Sequence, residues 1–195
     1  MPLATFPEYE RLAREAHGHV CAGQILGLRM ALYGMRLLGL EDPAGADRKR
    51  LITYVEIDRC ATDAIQVVTG CRMGKRALKF RDFGKVAATF CDLRDGRAIR
   101  IVAREDSRLR AAELHPEIGD RNRQQMAAYR ELPDEQLFDS AWVRVTIPPE
   151  DLPGFKARRV VCALCGEGIS FRREVERSGA VLCRACAGER YYDPL

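Results

Sequence analysis

The chain has 195 residues, which is enough for one well-buried domain and a small additional module. Hydrophobic residues make up 47% and charged residues 31% of it, a balance that excludes a disordered or fibrous protein. The net charge of +4 is mild, so the composition also excludes a strongly basic nucleic-acid-binding protein.

The sequence predicts a cytoplasmic protein. No apolar run reaches the ~18 residues of a membrane span, and the first residues lack the basic and apolar regions of a signal peptide. In the reducing cytoplasm, the eight cysteines indicate metal binding or catalysis before disulfides.

Apolar periodicity and turn residues predict an α+β fold, with an antiparallel or mixed sheet packed with helices. One helix ends near Gly18, and a second, mostly buried helix covers residues 20–40. The predicted strands cover 51–57, 77–83, 85–91 and 97–103, with a further strand within 137–147; the other predicted helices cover 61–68, 107–114 and 118–130. Hairpin connections are expected at 82–85 and 92–96.

A cluster of prolines marks the predicted domain boundary. Pro148, Pro149 and Pro153 lie in one short stretch, and the chain after them is short, basic and rich in cysteine. We therefore predict a core domain over 1–155 and a C-terminal zinc finger over 156–195.

The strongest motif is a pair of C-x-x-C sequences, Cys162 with Cys165 and Cys183 with Cys186. Their separation is typical of a four-cysteine zinc site, and a closed set of four thiolates indicates structural zinc. A hairpin with arms at 169–176 and 180–182 and a helix over 185–192 would complete a treble-clef-like finger. Eight basic against five acidic residues in 156–195 permit nucleic-acid contact, but few aromatic residues interleave with them, so protein docking is favoured.

A second group of metal-binding or nucleophilic side chains lies near the N-terminus. His17, His19 and Cys21 fall within five residues, and Cys60 lies where a strand turns into a helix, whose positive end favours a thiolate. The alternative is that the thiols are small buried hydrophobic groups and the histidines are partly exposed.

Two segments resemble the FmdE family, named for the FmdE component of formylmethanofuran dehydrogenase. They are His-Gly-His-Val-Cys-Ala-Gly at 17–23 with Leu-Gly-Leu-Arg at 26–29, and the stretch from Cys60 to Lys75. The resemblance implies an α+β core, often dimeric, with the matching His and Cys residues at a cleft that can bind metal. Formylmethanofuran dehydrogenase is a molybdenum or tungsten enzyme of one-carbon metabolism whose pterin and metal belong to its other components.

From the residues and the resemblance together, we expect His19, Cys21 and Cys60 to converge on one polar site or second metal ion. His17 and Cys71 would be supporting or alternative ligands, and Asp63 and Lys75 would bind or orient a small anionic ligand. In the alternative, these residues are core thiols and helix caps.

Two functions are consistent with this site. The first is an FmdE-like metal-binding subunit or accessory protein, a homodimer associated with a molybdenum or tungsten enzyme such as formylmethanofuran or formate dehydrogenase. The second is a regulator whose core senses a metal or metabolite and whose finger contacts nucleic acid or polymerase. A stand-alone metal hydrolase is less favoured because no general base is evident. Whether the chain is catalytic by itself stays open.

Overall fold

In the computed structural model, which describes residues 3–193, the chain divides into two units at residues 146 and 147. The first unit contains helices packed on a five-stranded sheet. Its helices are α1 (Phe6–His17), α2 (Ala22–Leu38), α3 (Cys60–Thr69), α4 (Ser107–Leu114), α5 (Arg121–Glu131) and α6 (Asp134–Leu137). Its strands are β1 (Leu51–Val55), β2 (Leu78–Phe80), β3 (Ala87–Asp92), β4 (Ala98–Ala103) and β5 (Phe138–Val143). The predicted α+β class is confirmed.

Helix α2 is the centre of this unit. It follows the apolar pattern that predicted a buried helix, and most of its residues are buried, with Ile25, Leu28 and Met35 inaccessible to solvent. Phe90 from β3 and Ile101 from β4 complete the core on the sheet side. Helix α1 ends at Gly18 as predicted, with a left-handed φ of 92° that favours glycine.

The sheet has the strand order β2-β1-β3-β4-β5 and is mixed. The connection at 92–96 is a hairpin between β3 and β4, as predicted. The hairpin expected at 82–85 is wrong, because β2 lies parallel to β1 on its outer side while β3 pairs antiparallel with β1 on the other. Residues 81–86 therefore cross from the edge of the sheet to its interior, a long-range arrangement for which turn residues give no local signal.

The second unit is small and built from two short hairpins. Its strands are β6 (Val160–Val161), β7 (Gly168–Ile169), β8 (Val175–Arg177) and β9 (Ala180–Leu182), paired β6 with β7 and β8 with β9. The predicted hairpin is thus shorter than expected, and Ile169 belongs to the other one. The predicted helix over 185–192 is wrong: a single turn covers 184–188 and ends at Gly188, whose φ of 107° is incompatible with a continuing right-handed helix.

No helix within residues 3–193 combines the length and apolar character needed to cross a membrane.

Candidate functional site

The finger cysteines form a compact four-thiol cluster. Their sulfur atoms lie within 4.8 Å of one another, and Cys165 Sγ is 3.9 Å from Cys183 Sγ, close to the sulfur separation around a tetrahedral zinc ion. The backbone N–H of Cys183 donates to Cys162 Sγ at 3.2 Å, and that of Cys186 donates to Cys183 Sγ at 3.3 Å. Backbone N–H donors stabilise thiolates, and those of Cys165 and then Cys183 lower the pKa of Cys162 to about 6. The residues therefore fit structural zinc.

Two cysteines from distant parts of the sequence meet in the first unit. Cys21 is the N-cap of α2, and Cys60 is the first residue of α3. Burial raises the pKa of the Cys60 thiol, and its hydrogen bond with the Cys21 thiol raises it further. Both side chains are partly buried. The structure thus brings together two of the three residues expected to converge.

Close packing of the two helices brings these thiols together. A Cβ atom placed on Gly27 would lie 2.8 Å from the Cα and 2.9 Å from the carbonyl carbon of Ala61, so only glycine permits this approach. One turn earlier, a Cβ atom on Gly23 would lie 3.4 Å from Cys60 Cβ and 3.8 Å from Cys21 Sγ. Gly23 therefore faces the space beside both cysteines.

The thiol pair opens onto a cavity of about 360 Å³ between α2, α3, α4 and α5. Its apolar wall includes Leu26, Ile57 and Val86, and the guanidinium groups of Arg59 and Arg108 also line it. We call this space the thiol cavity. Its wall contains no aspartate or glutamate from the described residues.

The histidines lie beside this cavity. His17 Nδ1 is 2.8 Å from Asp63 Oδ2, and the His17 ring lies 4.8 Å from the ring of His19 between centroids. His17 and Asp63 line a neighbouring cavity of about 390 Å³, and Cys60 lines both cavities. Because Asp63 fixes the orientation of the His17 imidazole, this pair resembles the carboxylate–histidine arrangement that supports metal ligands.

The remaining predicted residues lie elsewhere in the unit. Cys71 is 1% exposed and follows the far end of α3, where its thiol is 3.4 Å from Thr53 Oγ1 and 3.6 Å from the Leu51 carbonyl oxygen. Burial raises its pKa. Lys75 is exposed before β2, which runs parallel to β1, so it lies at the opposite end of the sheet from Cys60. The structure brings neither residue to the thiol cavity.

Helices α4 and α5 contribute cavity residues that the sequence analysis missed. They are Arg108, Asn122, Gln125 and Tyr129. Asn122 Oδ1 accepts a hydrogen bond of 3.0 Å from the Ala22 N–H, which caps the start of α2. No motif marks these residues, because polar side chains on a charged helix indicate only a surface position.

A metal site in the first unit would have to be built on the cysteine pair. Two thiols supply half of a four-ligand set, and sulfur is a ligand that soft and borderline metal ions prefer. Among residues 3–193, however, the finger cysteines are the one group of three or more His, Cys, Asp or Glu side chains with ligand atoms within 4.8 Å. The pair by itself therefore supplies two ligands, and a metal ion there would need others.

Two family models match the chain. The model described as "FmdE, Molybdenum formylmethanofuran dehydrogenase operon" matches residues 16–139, which is more than half of the chain. The model described as "Prokaryotic dksA/traR C4-type zinc finger" matches residues 156–192 and includes all four finger cysteines.

Two individual proteins are also similar to this chain. A "Probable S-adenosyl-L-methionine-binding protein" of Archaeoglobus fulgidus is 30% identical over 92% of this chain, but the match covers 52% of that protein, so the chain spans about half of its length. The crystal structure of a tungsten formylmethanofuran dehydrogenase FmdE-like protein from Syntrophus aciditrophicus has a TM-score of 0.65 at 20% identity. That comparison covers 97% of this chain and 95% of the other, and at such identity it shows the fold alone.

Proposed function

The chain belongs to the FmdE family, and we propose that it is a metal-binding subunit or accessory protein of a molybdenum- or tungsten-dependent oxidoreductase of one-carbon metabolism. It would act in the cytoplasm as a homodimer, with the thiol cavity as its functional site and the zinc finger as a docking module. The observation that carries the proposal is the meeting of Cys21 and Cys60 at a cavity within the FmdE-matching segment.

The chemistry of the cavity supports an accessory role. Burial and mutual hydrogen bonding raise the pKa of the Cys60 thiol and keep it protonated at neutral pH in the metal-free protein. A soft metal ion would displace that proton, and metal binding would therefore release protons and depend on pH. The hydrogen bond between His17 and Asp63 orients an imidazole beside the same cysteine.

Metal content tests this proposal. We expect wild-type protein to contain two metal ions per chain by inductively coupled plasma mass spectrometry, and the double variant Cys21→Ser, Cys60→Ser to contain one. Cys71→Ser is the matched control, because its hydrogen-bonding partners, Thr53 Oγ1 and the Leu51 carbonyl, also accommodate a hydroxyl. Equal metal content in the double variant and the wild type would make the pair ordinary core residues.

Partner binding tests the second part of the proposal. Tagged protein should co-purify with components of a molybdenum or tungsten enzyme from its own cells, and should lose them when residues 156–195 are deleted. A chain that has no metal in its first unit and binds no such component would contradict the proposal as a whole.

A regulator is the second candidate, and the match of residues 156–192 to a dksA/traR-type zinc finger favours it. The finger exposes basic side chains and aromatic ones, among them Tyr191 at 95% and Tyr192 at 50% exposure. Salt-dependent binding to double-stranded DNA that disappears on deletion of 156–195 would support this function. Binding that survives the deletion would count against it.

A further inference from the structure

The charged side chains that line the thiol cavity are all positive. Arg59 and Arg108 both line it, and within residues 3–193 neither guanidinium makes a hydrogen bond or an ion pair. By contrast, an arginine that stabilises the fold has several partners: the Arg29 guanidinium donates hydrogen bonds to Asp134 and to three backbone carbonyls. Two unpaired cations on a wall without carboxylates produce a positive potential that attracts anions.

The nearest acidic groups do not neutralise these arginines. Asp58 and Asp63 line the neighbouring cavity, which Arg59 also borders, but no oxygen of either lies within 4.0 Å of the Arg59 guanidinium. Asp63 is already bonded to His17. The starts of α2 and α3 add their positive ends to the same side of the cavity.

The rest of the wall indicates the other part of the ligand. Leu26, Ile57 and Val86 give one side of the cavity an apolar surface. A volume of about 360 Å³ is several times what a bare inorganic anion fills, and lies at the lower end of the roughly 300–1,000 Å³ of small-molecule sites. Asn122 and Gln125 supply amide groups that can orient a polar substituent.

We propose that the thiol cavity binds a small organic anion, with its carboxylate or phosphate between Arg59 and Arg108 and its apolar body against Leu26, Ile57 and Val86. This inference rests on the proposed function, in that it takes the same cavity as the functional site. It assigns the anion to two arginines that sequence reasoning did not identify, in place of Lys75. It also disfavours S-adenosylmethionine, whose sulfonium and ammonium groups give it a net positive charge.

The test is binding of simple probes to the full-length protein, measured by isothermal titration calorimetry. Benzoate and phenyl phosphate share one apolar ring and distinguish a carboxylate from a phosphate, and benzylamine is the cationic counterpart. Inorganic phosphate tests the need for an apolar body, and S-adenosylmethionine is measured in parallel. We expect saturable binding of at least one aromatic anion, and weaker binding of benzylamine, inorganic phosphate and S-adenosylmethionine.

Three variants locate the site. Arg59→Gln and Arg108→Gln should each weaken binding of the preferred anion about tenfold, because a charge-assisted contact is lost. Arg123→Gln is the matched control, since it removes the same charge from an exposed position on α5 outside the cavity wall, and it should leave affinity unchanged. All three side chains are exposed, so the variants should fold normally.

The outcomes are distinguishable from those of the metal experiment. Absence of saturable binding by both aromatic anions, equal affinity in the Arg59→Gln and Arg108→Gln variants and the wild type, or preferential binding of benzylamine or S-adenosylmethionine would each overturn the inference. In those cases, the proposed function would still stand if wild-type protein contained two metal ions per chain. Wild-type protein that binds the anion but contains only the zinc of the finger would contradict the proposed function and leave the anion site intact.

Discussion

Replacing Gly27 by alanine should force α2 and α3 apart. The added Cβ atom would lie 2.8 Å from Ala61 Cα and 2.9 Å from its carbonyl carbon, and nearer still to its carbonyl oxygen. Ordinary carbon contacts are about 3.5 Å or more, so the helices must separate by roughly half an ångström or more at this point. All three atoms belong to backbone, and no rotamer change can relieve the contact.

The magnitude follows from two opposing effects. Overpacking of this kind costs about 1–3 kcal/mol, and the upper part of that range applies where backbone meets backbone. Alanine recovers up to about 1 kcal/mol through its higher helix propensity. We therefore expect Gly27→Ala to lower the free energy of unfolding by about 1–2 kcal/mol. Gly23→Ala, one turn away in the same helix, meets atoms no closer than 3.4 Å and should cost nothing.

Urea unfolding, monitored by tryptophan fluorescence, reports on the first unit of the structure, because the single tryptophan, Trp142, lies in β5. The midpoint should fall for Gly27→Ala with an unchanged m-value, and should stay constant or rise for Gly23→Ala. Equal midpoints for the two variants would refute the close helix contact that brings Cys21 and Cys60 together.

Three further predictions concern the rest of the chain. Asp134→Ala should lower the free energy of unfolding by about 3 kcal/mol in the same assay, because it leaves the largely buried Arg29 guanidinium without its carboxylate. Cys183→Ser should abolish zinc binding by the finger, measured as loss of one metal ion per chain, without changing the unfolding midpoint of the tryptophan signal. Hydrogen bonds from Arg104 lower the pKa of Asp106 to about 2, so this carboxylate stabilises the fold above about pH 4, and the stabilisation is lost as the pH falls through about 2. The midpoint difference between wild type and Asp106→Asn should therefore be full at pH 6 and should vanish near pH 2.

Each of these predictions has a control or a contradicting result. Arg36→Ala also removes an ion pair with Asp134, but its side chain is 63% exposed, so it should cost no more than about 1 kcal/mol. A tryptophan midpoint that shifts in Cys183→Ser would show that the two units do not unfold independently. A midpoint difference for Asp106→Asn that is the same at pH 6 and pH 2 would rule out the ion pairs with Arg104 and Arg110 as its source.

Features of the fold encoded by local patterns could be predicted from the sequence. The spacing of Cys162, Cys165, Cys183 and Cys186 was sufficient to predict the finger cluster, because two short knuckles determine where the four sulfurs lie. The buried helix α2 followed from its apolar residues in the same way. By contrast, the parallel position of β2 beside β1 depends on partners distant in sequence, and the residues at 82–85 have the composition of a tight turn without forming one.

The candidate site was predictable in part for the same reason. Cys21 and Cys60 could be singled out because each precedes or begins a helix, but Cys71 has an equally suggestive sequence context and is buried against β1. The difference between Cys60 and Cys71 comes from the length of α3, since its ten residues place these two cysteines at opposite ends of the helix. Arg108 enters the cavity from α4, whose sequence contains no motif at all.

The position of the thiol pair therefore depends on helix packing more than on the cysteines themselves. Glycine at position 27 and alanine at position 61 allow α2 and α3 to approach until their first turns lie side by side. That approach places the positive ends of two helices, two thiols and Arg59 around one space, and α4 and α5 close it with a second arginine. A change in the small residues between the helices would therefore alter the distance between the sulfurs and the arrangement of the charged groups around the cavity together. Metal binding by the thiols and anion binding by the arginines should consequently respond in parallel to Gly27→Ala, although they depend on different side chains.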